Sequence, residues 1–123
     1  MISLLSAITD PELGGAPFVI IRSMYGLSQG EKVLLSEDRY ETFGAVHPAK
    51  MEDLQLLPEE YRHSQVLLFH SPVSLQLGGR IDDEKFYAPD WILFNFQSFL
   101  VISVSDWSSL GFCKAYAVLQ RGE

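Results

Sequence analysis

Little in this sequence can form a cross-link or gather around a metal. Of 123 residues, one is cysteine and three are histidine. The lone thiol, Cys113, excludes an internal disulfide and fits a reducing compartment. Basic residues are also scarce: nine Lys and Arg stand against sixteen Asp and Glu, a net charge of −7. Groove binding of nucleic acid needs a basic footprint, and docking on an anionic membrane needs basic clusters, so neither is expected. Long apolar runs are missing as well. The most apolar stretch, 91–104, is interrupted by Asn95, Gln97, Ser98 and Ser103 and falls short of the ~20 residues of a spanning helix. The first residues carry no Lys or Arg before Asp10 and Pro11, which is not the pattern of a signal peptide.

What is present is the making of a small β domain. Hydrophobic residues are 47% and charged residues 20%, so global disorder is excluded and one domain is expected. Leu4, Leu5 and Ile8 share a helical face, and Thr9-Asp10-Pro11 ends it. Gly14-Gly15-Ala16-Pro17 follows as an elbow. Residues 1–16 therefore read as a helical arm and hinge, and 17–123 as a single β-barrel domain. Within it, Phe18–Tyr25, Lys32–Leu35, Tyr40–His47, Gln65–His70, Trp91–Phe94, Phe99–Ser105 and Phe112–Leu119 are rich in branched and aromatic residues. Ser36-Glu-Asp-Arg39 could divide one strand into two, and Asn95-Phe-Gln-Ser98 reads as a hairpin turn. A short helix is expected near 50–57, ended by Pro58. The fold class is mainly β: an antiparallel β-barrel or sandwich with a short N-terminal helical arm.

Catalytic chemistry has no clear seat. His47, His63, His70 and Cys113 are zinc-type ligands, but their spacing matches no tight ligand pair. His47 and His70 lie next to Pro48 and Ser71-Pro72 and read as boundary residues. Cys113 lies in an apolar strand, where cysteine behaves as a small buried hydrophobe. Glu59-Glu60 and Asp82-Asp83-Glu84 offer carboxylates, yet adjacent side chains diverge and both clusters sit in polar segments. Gly14-Gly15 and Gly78-Gly79 lack the lysine and the third glycine of a phosphate loop. No enzyme activity, cofactor or metal is expected.

The aromatic load points elsewhere. Eight Phe, five Tyr and two Trp are many for a small barrel interior, and rings left outside favour protein contacts. The expected interface elements are the arm around Leu4, Leu5 and Ile8, the turn from Tyr25 to Glu31, and the Gly78–Tyr87 loop.

Several stretches, in this order, resemble the small head–tail joining proteins of tailed bacteriophages, the head-closure (stopper) and collar-type connectors. They are Asp10-Pro-Glu-Leu-Gly-Gly15, Gly44-Ala-Val-His-Pro48 and Leu54-Gln-Leu-Leu-Pro-Glu-Glu-Tyr-Arg62. Further along come Ala88-Pro-Asp-Trp-Ile92, Val104-Ser-Asp-Trp-Ser-Ser-Leu-Gly-Phe112, and a closing strand with Ala115 and Ala117. The resemblance covers roughly residues 10–119 and departs at Asn95-Phe-Gln-Ser98, where the family pattern usually has a glycine turn. It implies a structural virion protein of the neck, assembled in the host bacterial cytoplasm as a six- or twelve-fold homo-oligomeric ring. Its implied partners are a portal or adaptor ring on the head side and tail terminator, tail or sheath proteins on the other. DNA would pass through without specific binding, and no membrane is involved. Asp82, Asp83 and Glu84 become candidates for an acidic channel or inter-ring loop, since unneutralised phosphates slide past acids without releasing counterions. The alternatives are a tail terminator or other tail ring and, further off, a small ligand-binding β-barrel.

Overall fold

A computed structural model describes residues 15–61, 64–107 and 111–120, and within these the side chains of 106 and 107 are left aside. Residues 1–14 of the expected arm and hinge lie outside the described residues, but Gly15, Ala16 and Pro17 are no elbow: they open the first strand, paired with Ala45, Gly44 and Phe43, because the small residues fit the ladder there. Strand β1 (Gly15–Ser28) turns into β2 (Glu31–Pro48). The helix α1 (Met51–Gln55) and a 3-10 turn (Glu59–Tyr61) lead to β3 (Val66–Ser71). A small hairpin, β4 (Gly79–Arg80) and β5 (Lys85–Tyr87), precedes β6 (Trp91–Phe94), β7 (Gln97–Trp107) and β8 (Phe112–Gln120). The fold is mainly β, as expected, and every pairing is antiparallel.

The pairings close on themselves. β1 pairs with β2, β2 with β3, β3 with β8, β8 with β7, β7 with β6, and β6 again with β1. Six strands thus form a closed barrel, which removes the open edges of its wall. A barrel of so few strands has a narrow interior. Phe18, Ile20, Phe69, Ile92, Phe99 and Val101 fill it, and rings of Phe18, Phe94 and Phe99 meet Phe69 edge-on at 5.2–5.9 Å. Room for these rings comes from small inward residues on β8, namely Cys113, Ala115 and Ala117. Phe112, Tyr116 and Val118, which alternate with them, lie on the outer face. There Val118 packs with Val66 and Leu57 beneath α1 and the 3-10 turn.

A bulge between Val101 and Ser103 shifts the alternation of β7. Phe99 and Val101 face inward before it, and Val104 packs on the core after it. A strict alternation of Leu100, Ile102 and Val104 on one side is thereby broken. Gly44 marks the tightest seam: a Cβ there would collide with the carbonyl oxygen of His70 on β3.

β3 and β6 lie opposite each other in the ring, so residues 72–90 must pass across one mouth of the barrel. Leu75 on this crossing is buried in the core. Arg22 and Asp90 hold it in place. The guanidinium donates to both carboxylate oxygens of Asp90, at 3.1 and 2.9 Å, and to the Ser74 carbonyl at 2.6 Å. Asp90 also accepts the Gln76 N–H at 2.8 Å.

Candidate interaction site

The β1–β2 pairing runs well beyond the barrel. β6 covers only Val19–Ile21 of β1, and β3 only Ala45–Pro48 of β2, yet the hairpin ladder continues to Ser28 and Glu31. Gln29 and Gly30 turn the chain with φ of 52° and 80°, the two left-handed residues of a type I′ hairpin turn. Along its outer edge, residues 31–44 of β2 have no strand partner among the described residues. Ser36-Glu-Asp-Arg39 does not break this strand: the hairpin is solvated there, and polar residues suit it.

On the other side of β1 the β4–β5 hairpin adds itself through Met24↔Tyr87, Tyr25↔Phe86 and Gly26↔Lys85. The turn at Tyr25–Glu31 and the Gly78–Tyr87 loop, two separate expectations from sequence, are thus one structural unit. Tyr25 stacks on Phe86 at 5.8 Å, and the Lys32 ammonium lies 4.3 Å from the Tyr25 ring centre. The Leu27 N–H donates to the Glu84 carbonyl at 2.9 Å. Within the loop, one carboxylate oxygen of Asp82 accepts the N–H groups of Glu84 and Lys85 at 2.8 Å each. Asp83 pairs with Arg80 at 3.2 Å on a fully solvated surface, where such a pair contributes little. Asp82, Asp83 and Glu84 are all exposed. Leu4, Leu5 and Ile8 lie outside the described residues.

The inner face of the barrel continues onto this projection. Phe18, Ile20, Arg22, Met24 and Gly26 share one side of β1, and Val33 is opposite Gly26. A bulge at Met24/Tyr25 leaves Leu35 as the extra residue. Its side chain lies over Gly26, where an added Cβ would come within 2.9 Å of it. With no opposing wall, Leu27, Val33, Leu34 and Leu35 remain 42–49% exposed. Gly26, Leu27, Val33 and Leu35 form an apolar groove of about 350 Å3, rimmed by Glu84 and Lys85. Sequence reasoning missed Val33, Leu34 and Leu35 as surface residues, because a branched apolar run reads as a buried strand. No family model matches the chain, and no curated protein does.

The histidines form a second, smaller feature. His47 and His70 have ring centres 6.1 Å apart, and His70 lies 5.5 Å from Phe112. The Nδ1 of His70 is buried without a partner. Burial, with the nearby His47 and Lys114, holds His70 below the ordinary histidine value. Among the described residues no three His, Cys, Asp or Glu side chains stand close enough to hold a metal. Nearby, Asp53 accepts the Lys50 N–H at 3.2 Å and a hydrogen bond from Tyr116. Burial and that bond raise the Tyr116 hydroxyl to about 12. The pair fastens α1 to β8. A further pocket, of about 570 Å3, lies beside them and is lined by His47, Pro48, Ala49, Lys50, Asp53 and Leu68; the projecting groove differs from it in continuing the inner face of the barrel and in being lined by half-exposed branched side chains.

Proposed function

We propose that the protein is a structural subunit of the bacteriophage neck, forming a homo-oligomeric ring that joins the head to the tail and continues the DNA channel. The observation that carries this reading is the pairing of a closed, filled barrel with a long hairpin that exposes apolar side chains beyond it. A barrel of this kind is a rigid stave, and a projecting apolar element gives it something to hold a neighbour with. The sequence resemblance over residues 10–119 supports the phage neck as the place of that assembly. The acidity of the chain agrees with a channel that must let duplex DNA slide.

Disrupting the gene in its phage tests this reading. The expected particles are DNA-filled heads separated from tails of uniform length, restored by the wild-type gene in trans. Tails of irregular length would favour a tail terminator instead. Intact virions without the protein would refute both.

A further inference from the structure

We propose that the apolar groove of the projecting hairpin is the seat for residues 2–8 of a second copy of this chain. The inference rests on the ring reading for its premise that copies associate, and it names the contact. Three observations carry it.

The groove is an uncovered continuation of the core face, floored by Gly26, Val33 and Leu35. Its rim holds one acid and one base, Glu84 and Lys85, so it presents no net charge to an incoming segment. Residues 2–8, Ile-Ser-Leu-Leu-Ser-Ala-Ile, carry no charged side chain and offer Leu4, Leu5 and Ile8.

Reach then separates one's own arm from a neighbour's. Gly15 begins β1 at the end of the barrel away from the hairpin tip, eleven residues before Gly26. At ~3.3 Å per residue the groove is about 36 Å from that point. Ile8 is seven residues from Gly15 and spans at most ~25 Å even when fully extended. It cannot reach its own groove, and Leu5 reaches it only as a taut, straight strand. A copy placed head to tail brings its Gly15 end to this groove without such a demand.

The groove is also small. Its three half-exposed side chains, Leu27, Val33 and Leu35, offer far less than the ~800 Å2 per partner of a stable isolated pair. A contact of this size suits a closed ring, in which each copy both gives and receives.

Disulfide trapping in the full chain tests the seat. The double variant Leu5→Cys/Val33→Cys is oxidised gently and separated on a non-reducing gel, with each single variant as background for Cys113. The expected result is a ladder of dimers and higher multimers, reduced at least tenfold when Leu35→Asp is added. A monomer band carrying an internal disulfide would place the arm in its own groove and overturn the proposal, as would no cross-link at all. A chain that gives no ladder but still restores head–tail joining overturns the seat alone, whereas a ladder from a protein that phage particles do not need leaves the seat standing and removes the neck.

Discussion

At the scale of single residues, the Arg22–Asp90 pair carries the largest consequence. Asp90 is fully buried, and it binds the crossing segment to β1 through the guanidinium and to Gln76 through the backbone. Asp90→Ala leaves Arg22 without its anion and the Gln76 N–H without its acceptor. The expected loss is about 3–5 kcal/mol of unfolding free energy, read from the urea midpoint at constant slope. Neither residue stands out in the sequence, because a lone arginine in a strand and an aspartate after a proline have ordinary surface readings. Only the path of 72–90 across the mouth brings them together. His70 gives a second expectation, with a definite sign. Its folded form resists protonation because of burial and the neighbouring His47 and Lys114, so below the ordinary value of 6.5 the unfolded chain binds the extra proton. Stability is therefore full above that pH and falls as pH drops through it toward the lowered value. His70→Gln should flatten the difference in melting temperature between pH 7.5 and 5.5. An equal fall in both proteins would assign the effect to other groups.

Among the elements, the β6–β7 hairpin is the one whose sequence conflicts with its geometry. Asn95 and Phe96 both have positive φ, 51° and 64°, and Phe96 is completely exposed. The turn is the tight two-residue kind, shorter than the four-residue turn expected from Asn95-Phe-Gln-Ser98. A left-handed phenylalanine is strained by about 1–2 kcal/mol, and here no packing offsets it. Phe96→Gly should raise stability by about 1 kcal/mol, measured by thermal unfolding; no gain would mean that the ring is held by a contact of its own. Gly44 behaves oppositely. Gly44→Ala should open the β2–β3 seam, because the new methyl group and the His70 carbonyl cannot both keep their places. The strands themselves were largely legible, since branched and aromatic runs between turns mark them. Their inward faces were less so. On β8 the core positions are Cys113, Ala115 and Ala117, chosen for small size, while the larger Phe112, Tyr116 and Val118 face outward, so apolarity alone does not tell the two faces apart. On β7 the bulge changes phase where the sequence shows only steady alternation. The groove was legible in part: Tyr25 to Glu31 and the Gly78–Tyr87 loop were found, but not that one ladder joins them.

For the whole molecule, charge and shape act against each other. Every copy carries −7, so copies repel before any apolar contact forms. Raising ionic strength from ~0.01 to ~1 M shortens the screening length from ~30 to ~3 Å, and self-association through an uncharged groove should strengthen accordingly. Sedimentation across that range measures it. Weakening with salt would instead reveal an interface made of ion pairs. The ring of pairings has one more consequence. β8 is inserted between β3 and β7, and β6 closes on β1 from the far side of the sequence. Neither half of the chain can complete a wall by itself, and a fragment ending before Phe112 leaves β3 and β7 with bare edges, so all-or-none unfolding is expected of the intact chain. Proteolytic clipping in that region would not yield a weakened barrel. It would remove the copy from the pool altogether, and damaged chains would be kept out of any assembly by their own topology.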